Sequence, residues 1–184
     1  MNKKRSLFGI LLFVAFGLLV ALDQITKYLA VSFLKDAPSI NLIHNFFGFT
    51  YVENAGAAWG SFENMRWFLI IVTSVLIGVM LWVLFSARYH RYRMVRISSI
   101  LIIAGGIGNM IDRILYGYVV DFIHFKAIDF PVFNIADCCV VIGAILMLVF
   151  FFFIYKEEKE TTKKEVDDAT ANACDSAGGD REEG

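Results

Sequence analysis

Residues 133–155 read FNIADCCVVIGAILMLVFFFFIY. This run of 23 residues carries one charge, Asp137. A bilayer core about 30 Å thick is crossed by roughly 20 helical residues, so the stretch reads as a membrane span. It accepts a carboxylate one turn from its start. Three more apolar runs lie upstream. Leu7–Leu22 has no charge over 16 residues, Trp67–Ala87 none over 21, and Ile97–Ile111 none over 15. The first and third reach span length only if the helix continues through charged residues, to about Leu29 and Tyr116. Four transmembrane helices are expected, at about 7–29, 67–87, 97–116 and 134–155. The fold class is an all-α polytopic membrane protein with a small extracytoplasmic β-rich cradle. At 58% hydrophobic residues and a mean hydropathy of +0.61, the chain has more apolar side chains than a soluble domain of 184 residues can bury. Lys3, Lys4 and Arg5 before the first run also fit a cleaved signal peptide, but no small-x-small site follows.

Basic residues in short loops set the expected orientation. Lys3, Lys4 and Arg5 place the N-terminus in the cytoplasm. The loop RYHRYRMVR, Arg88–Arg96, holds four arginines two crossings later, so the parity agrees. The C-terminus is then cytoplasmic as well. Residues 156–184 differ in kind, with five basic and ten acidic residues, net −5, against +4 for residues 1–155. This tail is expected to be a disordered cytoplasmic extension of a membrane domain at 1–155. Cys138, Cys139 and Cys174 form no metal-spaced set, and no cofactor is expected. The near-neutral total charge of −1 argues against a nucleic-acid partner.

The polar residues within or beside the spans gather toward one side of the membrane. Asp23 and Lys27 are spaced i, i+4, so they share a helix face in the favourable acid-first order. Asn109, Asp112 and Arg113 share another face, and Asn134 and Asp137 a third. Ionisable groups in a span usually face the bundle interior or a wet cavity. Three stripes at similar depth therefore point to one shared pocket. Asp23/Lys27 reads first as a structural clamp, Asn109 as polar glue between helices, and Asp112/Arg113 as scaffold. Asp121 and Asp137 have no basic residue at helical spacing. Two such carboxylates near a low-dielectric boundary can share one proton, which is how an aspartic protease works. The residues leave rivals open. Asp121 can be simply solvated, and Asp137 can be a helix-dipole partner with Asn134 as cap. His124, three residues from Asp121, lacks the further ligands a metal needs. A proton relay is a further rival, although it calls for polar groups through the whole membrane thickness.

Residues 39–62, SINLIHNFFGFTYVENAGAAWGSF, are rich in strand formers and end in small, turn-prone residues. A short sheet or hairpin is expected within about 36–62. It would lie at the outer leaflet and cradle a lipidated or extended peptide.

DQITKY (23–28), NAGAAWG (54–60), GGIGNMIDR (105–113), VVDFIHF (119–125) and FNIADCC (133–139) occur in this order on four spans. In that arrangement the chain resembles lipoprotein signal peptidase, bacterial signal peptidase II, over roughly residues 7–155. The resemblance implies a membrane aspartyl protease that cuts prolipoproteins before a diacylglyceryl-modified cysteine. It implies Asp121 and Asp137 as the catalytic dyad, and Asn54 and Gly56 as part of the outer cradle. Asn109, Asp112, Arg113 and Asn134 then line or brace the pocket, and Asp23 with Lys27 supports it. The implied setting is the bacterial inner membrane, with prolipoproteins and membrane lipids as partners, no metal, a monomeric state and sensitivity to globomycin. Trp59 stands where the family more often has Phe.

Overall fold

The first helix does not stop at its charges. In the computed structural model, which describes residues 3–44, 46–57, 61–128 and 130–155, helix α1 runs from Lys3 to Leu34. Asp23 and Lys27 lie inside it, 2% and 3% exposed, and pair with each other at 2.9 Å. Because the pair satisfies itself and faces protein, the helix continues through it. Helix α2 spans Arg66–Phe85, α3 spans Arg93–Leu115 and α4 spans Ile135–Val149, with π-helical turns following at Phe150–Tyr155. All four helical segments are long and apolar enough to cross a membrane. Their ends differ from the expected spans by a few residues. Helix α1 runs five residues past Leu29, and α3 starts four before Ile97. Hydropathy marks the hydrocarbon core, whereas the helical backbone extends beyond it into the polar boundary. Trp59, Cys174 and the acidic tail lie outside the described residues.

Helix α3 is the most enclosed of the four. Its glycines allow that enclosure. A Cβ on Gly105 would collide with the carbonyl oxygen of Ala136, and one on Gly106 would press on Ile77 of α2 at 3.2 Å. At Gly108 a Cβ would stand 2.5 Å from Asp23 Oδ2 and 3.2 Å from the Ala136 Cβ. Small residues permit such close backbone approach, the usual basis of helix packing in lipid. The opposite faces of α1 and α2 carry exposed Leu, Ile, Val, Phe and Trp side chains, as lipid-facing surfaces do.

The expected sheet is present and larger than expected. Strands β1 (Ile40–Ile43) and β2 (Phe47–Asn54) form the hairpin, and a third strand, β3 (Val119–Phe125), pairs antiparallel with β2. Gly117, at φ +91°, lets the chain leave α3 and enter β3. A bulge between Phe49 and Val52 changes the β2 register, so that Val52 lies opposite Asp121 and Asn54 opposite Val119. Asn54 and Asp121 are thus diagonal neighbours on one face. Phe133 is then stitched to β3. Its N–H donates to Ile123 O at 3.0 Å, and its carbonyl accepts from Ile123 N–H at 2.8 Å. That stitch delivers Asn134 and the start of α4 beside Asp121. The sheet packs on the end of α1 through Ala30, Leu34, Val120 and Phe122.

The glycines give a graded prediction. Gly108→Ala is expected to destabilise by about 1–3 kcal/mol, the usual range for overpacking, despite the better helix propensity of Ala. Gly17→Ala and Gly78→Ala, where nothing lies within 4 Å of the new Cβ, are expected to cost nothing. Thermal melts of the three variants in one detergent check the order.

Candidate active site

The site is built around one ammonium. Lys27 Nζ lies 2.9 Å from Asp23 Oδ2, 3.0 Å from Asp112 Oδ2 and 2.9 Å from Asn109 Oδ1. Its three N–H groups thus meet three acceptors on two helices. Each acceptor residue leads onward. Asp23 Oδ1 accepts the N–H of Ala136 at 2.9 Å, in the first turn of α4. Asp112 Oδ2 accepts the N–H of Val120 at 3.1 Å, the residue before Asp121. Asn109 donates through Nδ2 to Asp137 Oδ1 at 2.7 Å.

Asn134 joins the two remaining acids. Its Nδ2 donates to Asp121 Oδ1 at 2.6 Å and to Asn109 Oδ1 at 3.1 Å. Its backbone N–H donates to Asp137 Oδ2 at 3.1 Å, while its Oδ1 accepts the Asp137 N–H at 2.9 Å. The last two bonds form a reciprocal capping box at the head of α4. One residue therefore caps the helix and holds both carboxylates. The second oxygen of Asp121, Oδ2, accepts from Asn54 Nδ2 at 2.9 Å. Asn54 Oδ1 in turn accepts the Gly56 N–H at 2.9 Å, and Gly56 O accepts from Arg113 Nη2 at 2.9 Å.

All ten residues singled out from the sequence fall in this one network. Arg113 and Asp112 diverge as adjacent helical residues must: Arg113 reaches the loop after β2, and Asp112 reaches Lys27 and β3. Among the described residues, eight polar or charged side chains are buried. Six of them (Asp23, Lys27, Asn109, Asp112, Asp121 and Asn134) belong to the network, and the others are Ser98 and Ser99 of α3. His124 does not join. Three residues along a strand it faces away from Asp121, and its buried Nδ1 has no partner. Cys138 and Cys139 are free thiols on α4.

Sequence reading missed Gln24. Its Nε2 lies 3.2 Å from Asp23 Oδ2, 3.1 Å from Gly108 O and 3.1 Å from Asp112 Oδ1. The available signal was a second polar residue beside Asp23 in an apolar helix. It also missed the latch before Asn54. Glu53 takes Lys35 Nζ at 3.0 Å and the Tyr51 hydroxyl at 2.9 Å, tying β2 to the end of α1. These two donors hold the Glu53 carboxyl below its ordinary range.

Asp121 is 1% exposed. Burial, and then the charge of neighbouring Asp137, push its carboxyl up to about 7, against the two side-chain amides that favour the ionised form.

A family model described as signal peptidase (SPase) II matches residues 15–153. The chain belongs to the signal peptidase II family. The lipoprotein signal peptidase of Clostridium acetobutylicum is 44% identical over 137 residues, covering 72% of this chain and 86% of that one. That of Clostridium tetani is 46% identical over 127 residues, covering 67% and 81%. A solved structure described as a bacterial membrane enzyme, obtained by the in meso method at 2.3 Å resolution, superposes with a TM-score of 0.70 at 34% identity. It covers 76% of this chain and 86% of its own. A second, at 1.9 Å resolution, gives a TM-score of 0.69 at 33% identity. The family match at 15–153 spans the sheet, α2, α3, α4 and most of α1, so the network lies within the matched region.

Two predictions follow from the charges. Lys27→Met leaves Asp23 and Asp112 buried without a counter-charge. Breaking such a set from one side costs about 3–5 kcal/mol, so the variant is expected to melt well below the parent in the same detergent. The second concerns pH. Asp121 in the folded protein keeps a proton that the unfolded chain releases near 3.8, so its effect on stability is pH-dependent. Stability is expected to fall as pH rises from about 4 to about 7. Asp121→Asn is expected to flatten that part of the melting-temperature profile.

Proposed function

We propose that this chain removes signal peptides from prolipoproteins as a membrane-embedded aspartic endopeptidase. Asp121 and Asp137 are the catalytic pair, and cleavage falls on the N-terminal side of a diacylglyceryl-modified cysteine. The observation that carries the reading is the double hold of Asn134, with Asp121 on its side-chain amide and Asp137 on its backbone N–H. Two acids from different elements are oriented by one residue, as a proton-sharing pair requires.

The chemistry follows from that pairing. Asp121, buried and titrating near neutral pH, holds the shared proton at rest. It hydrogen-bonds the scissile carbonyl oxygen. Asp137, half-buried, takes a proton from water as the water oxygen bonds to the carbonyl carbon. The tetrahedral intermediate then collapses. The C–N bond breaks, and the departing nitrogen receives the proton from Asp137. Lys27, Asn109, Asp112 and Asp23 position the pair, and Asn54, Gly56 and Arg113 hold the loop beside it. The bonds of this cycle need no metal or cofactor.

The substrate fits a site at this depth. A diacylglyceryl cysteine rests in a leaflet, and drawing each CH₂ into water costs about 0.8 kcal/mol. Acids at the head of a span meet the bond in place. By the basic-loop rule, the Arg88–Arg96 end and both termini are cytoplasmic, and the acids face the outer side of the bacterial inner membrane. The domain at 1–155 acts as a monomer, and globomycin is an inhibitor.

The test uses purified protein in detergent and a diacylglyceryl-modified prolipoprotein. Asp121→Asn and Asp137→Asn are each expected to lower the cleavage rate by at least a thousandfold while the protein still melts cooperatively. EDTA is expected to leave the rate unchanged. Near-parental cleavage by either variant overturns the pair, and loss of activity in EDTA favours a metal. Unmodified prolipoprotein is expected to be cut at least tenfold more slowly.

A further inference from the structure

At the opposite end of α3 from the acids, two arginines gather on one ring. The Arg96 guanidinium stands 4.8 Å from the Phe8 ring centre and that of Arg93 stands 5.5 Å from it. The Arg96 guanidinium also lies on Gly9 of α1, with Nη2 3.6 Å from where a Cβ would stand. The buried Nε of Arg96 has no hydrogen-bond partner. Two like charges have thus been brought to one aromatic face, and among the described residues no carboxylate lies between them. No acidic residue occurs between Glu63 and Asp112, nor anywhere before Asp23. Over the same stretch Arg88, Arg91, Arg93 and Arg96 add four positive charges, and Lys3, Lys4 and Arg5 open the helix that carries Phe8.

The position worsens the imbalance. Arg93 and Arg96 occupy the first turn of α3, where the helix dipole disfavours cations, and that turn holds no acidic residue and no side-chain cap. A counter-anion at this place relieves the repulsion between the guanidiniums and answers the dipole. The location names its source. Arg93 begins the membrane-length part of α3, and Phe8 lies at the start of that of α1. Both are therefore at the depth of lipid headgroups. Exposed Leu7, Ile10, Leu11 and Ile97 flank the arginines, as acyl chains would require. Guanidinium is the side chain best shaped to hold a phosphate through two parallel bonds. Basic pockets between spans bind anionic headgroups on the same grounds.

We propose that Arg93 and Arg96, gathered on Phe8, bind the phosphate of an anionic phospholipid at the membrane face opposite the carboxylate pair. Arg93 and Arg113 are 20 residues apart, about 30 Å along a helix, so this site is separate from the acids. The lipid bridges α1 and α3, the two helices that Lys27 joins at their other end. Its binding is expected to stabilise the pair without touching the chemistry.

The test is made on the full chain in detergent with dioleoyl-phosphatidylglycerol, dioleoyl-phosphatidylcholine or soluble glycerol 1-phosphate. Bound lipid is read by native mass spectrometry and stability by thermal melting. Phosphatidylglycerol is expected to be retained and to raise the melting temperature by several degrees, as binding to the folded state alone must. The other two probes are expected to give neither effect. Arg93→Gln/Arg96→Gln is expected to reduce retention at least tenfold and to abolish the shift, with cleavage in phosphatidylcholine unchanged. Arg93→Lys/Arg96→Lys is expected to keep part of both. Equal retention of the two lipids, an undiminished shift in the double Gln variant, or an equal shift with glycerol 1-phosphate overturns the proposal. Should the double Gln variant not fold, exposed Arg93→Gln alone carries the test, and an undiminished shift there overturns it.

Discussion

One ammonium ion organises the site. Lys27 is buried between helices, and a lone charge at such a depth is too costly to keep. It survives because Asp23, Asp112 and Asn109 saturate its three donors. Each partner also reaches a different element. Asp23 fixes the first turn of α4, Asp112 fixes the start of β3, and Asn109 fixes Asp137 itself. The two elements that bear the acids are thereby referenced to one point. Neither could shift alone without exposing a buried charge.

The glycines of α3 make this possible at the level of backbone. Asp23 can reach Ala136 only because Gly108 leaves room for its carboxylate. Asn134 works in the same economical way. Its capping of α4 and its hold on Asp121 use different atoms, so the cap and the bridge coexist. The two sequence readings of Asp137, as a helix-start acid and as a member of a carboxylate pair, are therefore compatible. The capping box orients the Asp137 carboxylate beside Asn109 and Asn134.

Much of this was legible in the sequence, for physical reasons. Lipid forces long uninterrupted apolar helices, so four runs announced four spans. A charge inside such a run must face protein, so i, i+3 and i, i+4 spacing revealed the stripes of Asp23/Lys27, Asn109/Asp112/Arg113 and Asn134/Asp137. The third strand was not legible. Val119, Val120, Asp121 and Phe122 are all buried, so β3 shows no alternation of polar and apolar residues. Its partner β2 lies some 70 residues earlier, beyond any local pattern. The bulge that brings Asn54 alongside Asp121 leaves no periodic trace either. Gln24 stayed hidden because an uncharged amide in a span carries a weaker signal than an ion, although it contacts two of the buried acids.

Among the described residues, Asp121 and Asp137 are the acids of the network without a salt bridge. Asp23 and Asp112 share the ammonium of Lys27. Arg113 bonds the Gly56 carbonyl, and its charge acts at longer range on Asp137 and Asp121 more than on Asp112. The other two acids receive amides and N–H groups, which orient a carboxylate without cancelling its charge. Two full negative charges so close together and so poorly hydrated are unfavourable, and one proton relieves them. Burial and the neighbouring charge of Asp137 raise the Asp121 carboxyl to about 7. Had Lys27 pointed to Asp121 rather than to Asp23 and Asp112, an ion pair would favour the charged form of Asp121. The separation of paired acids from unpaired ones is thus what leaves two carboxylates of the buried cluster able to hold a proton.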